Sequence, residues 1–160
     1  NEKGEYINHA LAPEVIDQLH NPMDLPQKGT RELTAEDFVY SIKRMANPRI
    51  IAPVYGTMVN YLPGLKDFAV QVRAEDKRLR ADLKPSDRDL PFLDLRKFEL
   101  KGVSAPDKYT LRLEVKGKYP QFPNWLAMTF FAPVPWEAEA IYAQKGMVNR
   151  TAKTASPIRT

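Results

Sequence analysis

Residues 31–48, Arg-Glu-Leu-Thr-Ala-Glu-Asp-Phe-Val-Tyr-Ser-Ile-Lys-Arg-Met-Ala-Asn-Pro, constrain the fold most, because every local signal in them agrees on one helix with fixed ends. Thr34 is a favourable N-cap, and Asp37, three residues on, can accept the cap's own amide, a capping box with Asp in place of Glu. Glu36 and Asp37 stand in the first turn, where the helix dipole favours negative charge; Lys43 and Arg44 stand in the last, where it favours positive charge. Phe38, Ile42 and Met45 recur at spacings of four and three, and Val39 widens the stripe, so one face is built for a core. Asn47-Pro48 ends the helix, since proline disfavours helical geometry at the residue before it and asparagine tolerates a left-handed cap.

The rest of the chain alternates helical and extended patterns, punctuated by proline. Residues 1–30 form a polar lead-in holding a short amphipathic helix at 12–19, opened by Pro13 and closed by Asn21-Pro22; Pro22, Pro26 and Gly29 predict a loop after it. Partial helix is expected over 54–60. A longer helix over 65–83 carries Leu65, Phe68, Val72, Leu79 and Leu83 on one stripe, with Glu75 and Asp76 interrupting any longer apolar reading. Residues 84–88 read as a charged turn, and 91–98 fit either a strand start or a helical turn. Tyr109, Leu111, Leu113 and Val115 alternate with Thr110, Arg112, Glu114 and Lys116, the pattern of a half-buried strand. Pro106-Asp107-Lys108 predicts the turn before it and 100–104 the antiparallel partner. A short helix burying Phe122, Trp125 and Leu126, an extended apolar run over 128–134 and a last helix over 136–145 with Gly146 as C-cap complete an α+β chain. A length of 160 residues, 43% hydrophobic and 10% aromatic, suits one core.

Chemistry is sparse. With no cysteine, disulfides and thiolate metal sites are excluded. The two histidines, His9 and His20, need a carboxylate such as Asp17 or Asp24 to make a third ligand, so metal binding is not expected. There is no Gly-rich phosphate loop and no nucleophile elbow, and the paired acids Glu36/Asp37 and Glu137/Glu139 read as helix N-terminal charges, so neither an enzyme nor a cofactor is expected. Arg73, Lys77, Arg78, Arg80, Lys84 and Arg88 are threaded with Glu75, Asp76, Asp82, Asp87 and Asp89, the mark of a solvated surface and not of a nucleic-acid groove. The dense aromatics Phe122, Trp125, Phe130, Phe131 and Trp136 are expected in the core. No apolar run is long enough to span a bilayer, and no secretion signal opens the chain.

The string Leu-Thr-Ala-Glu-Asp-Phe-Val-Tyr-Ser-Ile-Lys-Arg-Met-Ala-Asn-Pro at 33–48 resembles a segment of the small extra domain in family 5 bacterial solute-binding proteins, the oligopeptide- and dipeptide-binding components of ABC importers. Three further stretches resemble that family in the same order: Gly64-Leu-Lys-Asp-Phe68, residues 102–113, and 132–138 followed by 142–147. The resemblance implies a single domain over 1–160, an inserted middle domain excised from a two-lobed periplasmic receptor, with 1–30 an enlarged lead-in and 148–160 a tail returning to the first lobe. It implies that most contacts to a peptide or similar solute come from the two lobes, that a membrane ABC permease is the partner of the whole protein, and that the location is periplasmic, or extracellular by lipid anchor. Family members often place a tyrosine after the turn that ends the first helix, and Tyr55 stands at about that place; the gapless match falls on Val54. Two other classes stand beside this: a stand-alone basic module binding an acidic partner, suggested by the net charge of +4, and a hydrolase fragment, which requires a cleft of convergent titratable groups.

Overall fold

The structure, a computed structural model, describes residues 8–84, 87 and 89–147. Among them are six α-helices, three short 3-10 turns and one two-stranded antiparallel sheet, an α+β composition as expected from the sequence. The chain divides into two compact units: one draws on the described residues of 8–32, 79–92 and 137–147, the other on 33–78 and 93–136. The terminal tail and Arg88 of the charged turn lie outside the described residues.

The larger unit is organised around helix α2 (Ala35–Arg44), which follows α1 (Pro13–Gln18) of the smaller unit in sequence. Its capping box forms as predicted: the Thr34 amide donates to Asp37 Oδ2 at 2.9 Å, and the Asp37 amide reciprocates toward the Thr34 side chain. Burial is wider than the predicted stripe. Ala35, Val39, Tyr40, Ser41, Ile42, Met45 and Ala46 are buried, and Phe38 only half so. The buried Ser41 hydroxyl donates to the Ala132 carbonyl at 2.7 Å, the partner that such a position requires. Asn47 does not adopt the left-handed cap: no described residue other than glycine has a positive φ. Its side chain instead accepts the Arg49 amide at 2.9 Å and turns the chain without left-handed geometry.

Helices α3 (Tyr55–Tyr61) and α4 (Leu65–Leu79) follow. The buried line of α4 is Leu65, Phe68, Ala69, Val72 and then Asp76, one turn beyond Val72 on the same face. The sequence reads Asp76 as an interruption; the fold keeps it on the stripe by pairing it with Arg49, whose Nε donates to Asp76 Oδ1 at 2.6 Å. Helix α4 ends four residues before the predicted limit, giving way to a turn in which the Leu83 amide donates to the Arg80 carbonyl. No helix breaker stands there, so the stop has no local sequence signal.

The ambiguous stretch 91–98 resolves as a 3-10 turn at Leu95–Lys97. The hairpin that follows, β1 (Val103–Asp107) and β2 (Thr110–Leu113), is shifted from its predicted position, with the turn at Lys108-Tyr109. Pro106, read as a turn residue, lies in β1, where the register shifts between Ser104 and Asp107; such a bulge tolerates a residue with no amide to donate. Asp107 Oδ1 accepts the Tyr109 amide at 3.0 Å and closes the turn, leaving Tyr109 66% exposed at its tip. Alternation holds within the strands: Val103 is buried and Leu111 and Leu113 half-buried, while Ser104, Arg112 and Glu114 are exposed.

Gly102 fixes the base of the hairpin. Its amide donates to the Pro63 carbonyl at 3.1 Å and its carbonyl accepts the Glu114 amide at 2.9 Å. A Cβ at this position would meet the Pro63 oxygen at 2.7 Å, backbone against backbone, so only glycine allows the approach. Helix α5 (Phe122–Leu126) comes next; the run expected to be extended contains a 3-10 turn at Thr129–Phe131, and α6 (Trp136–Tyr142) ends before its predicted limit at 145. Gly146, at φ +93°, lies beyond the helix end and does not cap it directly.

The smaller unit has its own core of Ile16, Leu19 and Met147, with Leu11, Leu25, Ile141 and Tyr142 packed against it. Gln144 ties the lead-in to this core with both ends of its amide, accepting the Leu11 amide at 2.9 Å and donating to the Asn8 carbonyl at 2.7 Å. Arg31 and Glu137 make a two-point ion pair at 2.6 and 3.0 Å. The loop predicted after α1 contains a 3-10 turn at Pro22–Asp24, held by Asp24 Oδ2 accepting the amides of His20 and Asn21.

Two substitutions test these contacts. Arg49→Met leaves the Asp76 carboxylate shielded from water without its guanidinium and is expected to lower unfolding free energy in urea by about 3 kcal/mol, whereas Arg49→Met combined with Asp76→Leu recovers most of that loss. Gly102→Ala is expected to cost about 2 kcal/mol by overpacking the Pro63 contact, with a matching fall in melting temperature.

Candidate functional site

Tyr55 is the first residue of α3, half-buried, with its amide donating to the Ala52 carbonyl at 3.1 Å. Val54, the other position at issue, is 6% exposed and belongs to the core. Nearby in sequence, Gly56 has no atom within 4 Å of where a Cβ would stand, and Ile51 is 95% exposed.

His9 and His20 are both exposed, and no group of three or more His, Cys, Asp or Glu side chains converges as a metal site among the described residues. Arg73, Lys77, Arg78, Arg80 and Lys84 are exposed, and Arg78 grips Glu75 of its own helix at 2.6 and 2.7 Å. That pairing holds the Glu75 carboxyl below its usual range. Of the paired acids, Asp37 serves the capping box and Glu137 the Arg31 ion pair.

Two arrangements in the larger unit lie beyond what the sequence reading assembled. In the first, Arg96 grips Asp94 with two donors, each at 2.8 Å, and lays its guanidinium 3.4 Å from the centre of the Trp136 ring. Burial pushes the Asp94 carboxyl up, but the side chain and amide of Arg96, with the charges of Arg96 and Lys97, outweigh it and the carboxyl lies below its ordinary value. Lys43 is pulled below the usual lysine range by burial, against the opposing charges of Glu36, Asp94 and Glu99. An Asp-x-Arg triplet followed far along the chain by tryptophan carries no periodic signal, so this pairing is a product of tertiary structure.

The second arrangement is aromatic. Tyr61 stacks on Tyr119 with ring centres 4.3 Å apart, Phe122 meets Tyr119 edge-on, and the Trp125 indole donates to the Tyr119 hydroxyl at 2.7 Å. Phe122 and Phe131 are core residues as expected. Leu126, Met128 and Phe130, expected inside or in an extended run, are 40%, 50% and 44% exposed.

Among the described residues, the carboxylates of Asp37, Asp76, Asp94 and Glu137 are each held by a helix cap or an arginine. In comparison with known proteins, the family described as bacterial extracellular solute-binding proteins, family 5 Middle, matches residues 28–159. No curated protein and no solved structure matches the chain.

The Asp94 carboxylate is charged in the fold at pH values where an ordinary aspartate begins to protonate. A carboxyl with a lowered folded pKa contributes stability above its unfolded value, about 3.9, and loses it as pH falls through the folded value. Asp94→Asn is therefore expected to lower stability at pH 7 and to flatten its decline below about pH 4, read by urea unfolding at both ends of that range.

Proposed function

Because this chain belongs to the bacterial extracellular solute-binding proteins of family 5, we propose that it is the middle region of a receptor that captures short peptides or similar solutes outside the cytoplasm and delivers them to an ABC permease. The observation that carries this reading is the family match, which spans residues 28–159 and so takes in all of the larger unit. In this reading the solute is enclosed between two lobes that close by hinge motion, with this region serving mainly as scaffold. Location follows from the function: the periplasm, or the outer face of the membrane by a lipid anchor. No helix among the described residues is long and apolar enough to cross a membrane.

Tyr55 is the residue we assign to solute contact. A partly exposed tyrosine at the start of α3 can reach a ligand, and its ring and hydroxyl together suit a peptide's mixed chemistry. The basic-module reading gains no support from the site, because Arg31, Arg49, Arg78 and Arg96 each have an acidic partner within the chain.

The test is thermal unfolding of the full-length receptor and of this chain against di- to pentapeptides. A peptide-dependent rise in the receptor's melting temperature, absent from the isolated chain, is the expected result. A flat response in the receptor overturns peptide as the solute, and a rise in the isolated chain overturns the scaffold role. Within the receptor, Tyr55→Ala is expected to weaken peptide binding about tenfold by calorimetry while leaving the unliganded melting temperature unchanged.

A further inference from the structure

We propose that residues 116–130 form a surface that associates with a bilayer rich in anionic phospholipid, with Lys116 and Lys118 at the headgroup phosphates and Leu126, Met128 and Phe130 at the edge of the acyl region. The proposal goes beyond the solute reading and uses none of its residues. It starts from charge. No Asp or Glu stands between Glu114 and Glu137, although the chain holds 20 acidic residues among its 160. The two acids that bound this run are already engaged, Glu114 with Arg112 at 3.3 Å and Glu137 with Arg31 at 2.6 Å. Within the run the only charged residues are Lys116 and Lys118, both exposed.

The second half of the surface is apolar and presented to solvent. Phe122 and Phe131 are buried and pin the stretch to the core, and of residues 123–130 all but Trp125 are exposed, Leu126, Met128 and Phe130 included. Tyr119 joins this half to the lysines: its ring stacks on Tyr61 at 4.3 Å, and its hydroxyl accepts the Trp125 indole at 2.7 Å. The Lys116 amide donates to the Tyr61 carbonyl at 2.8 Å, and Gly117, at φ +71°, turns the chain between the two lysines. Lysines and apolar side chains are therefore carried on one anchored piece of backbone.

This composition selects the occupant. Lysine heads reach phosphates while their stems lie along apolar surface, and tyrosine and tryptophan rings favour the boundary between headgroup and hydrocarbon. A carboxylate in the run would be repelled by an anionic leaflet, and the run has none. A bilayer interface also takes partly exposed apolar side chains without a shaped pocket, whereas a folded protein partner must supply one for each anchor. Each lysine at an anionic leaflet is worth about fivefold in partitioning, so the association is reversible and graded by lipid charge and salt.

Vesicle flotation tests this, with the present chain and with the full-length receptor, on equimolar phosphatidylcholine and phosphatidylglycerol and on phosphatidylcholine alone. Both proteins are expected to float with the anionic vesicles, to stay behind with the neutral ones and to be released by salt. Lys116→Gln with Lys118→Gln is expected to weaken partitioning about 25-fold, and Met128→Ser with Phe130→Ser about tenfold. Arg73→Gln with Lys77→Gln removes the same charge from exposed positions on α4 and is expected to leave it nearly unchanged. All six positions are exposed, so the melting temperatures of the variants are expected to match the parent's. Equal flotation with neutral vesicles, or an equal loss in the α4 variant, overturns the proposal. Flotation of the chain but not of the receptor assigns the surface to a contact inside the receptor and also overturns it. So does binding to poly-glutamate without binding to vesicles, which assigns the lysines to an acidic protein, or self-association lost in the Met128/Phe130 variant without binding to vesicles, which assigns the surface to a second copy. Flotation is read without peptide, so a flat peptide response in the receptor would overturn the solute reading and leave this one standing.

Discussion

Burying a helix over most of its circumference obliges each polar group on it to find a partner, and the larger unit is built around a helix under that constraint. Helix α2 meets it at three levels. Asp37 closes the first turn, Ser41 reaches the Ala132 carbonyl at the middle, and Asn47 turns the chain beyond the end. The Ala35 amide, which no residue of the helix can accept, goes to the Lys108 carbonyl in the hairpin turn. Each of these bonds also fixes the helix to another part of the unit or to its own flank, so satisfying the polar groups and placing the helix are one event.

A second example of the same logic is the Arg49–Asp76 pair. Side-chain exposures of 15% and 12% put both groups largely out of water, where an unpaired charge is costly and a paired one is tolerated. The pair ties the turn after α2 to the buried line of α4 across 27 residues of sequence. In the smaller unit, with its three-residue core, the amide of Gln144 performs the comparable task for the lead-in, using acceptor and donor on two different backbone groups.

What could be read from the sequence follows the range of the interactions involved. The cap of α2, the start of α1 at Pro13 and the alternation of Leu111 with Arg112 depend on neighbours within a few residues, and these readings agree with the structure. The hairpin's position failed because Pro106 was weighed as a turn former, while a bulge opposite β2 gave it a place in the strand. Asp76 was misread because its partner lies 27 residues away, and local charge patterning has no access to that distance. The 3-10 turn at 129–131 was missed because a run of apolar residues has no period that separates extended from tightly coiled backbone. Of the candidate site, the pairing of Arg96 with Asp94 and Trp136 was not legible, since nothing in the spacing 94, 96 and 136 links them.

The interleaving of the two units has a bearing on how the chain comes to be folded at all. Sequence crosses between them after residues 32, 78, 92 and 136, so neither unit is one continuous stretch. As the polypeptide is synthesised, the buried residues of α2 and α4 are made well before the buried Phe122 and Phe131 of the same unit. Met147 comes still later to close over Ile16 and Leu19, more than 120 residues after them. Contacts between such distant segments must close long loops and form late, which leaves apolar surface uncovered until the last segments are made.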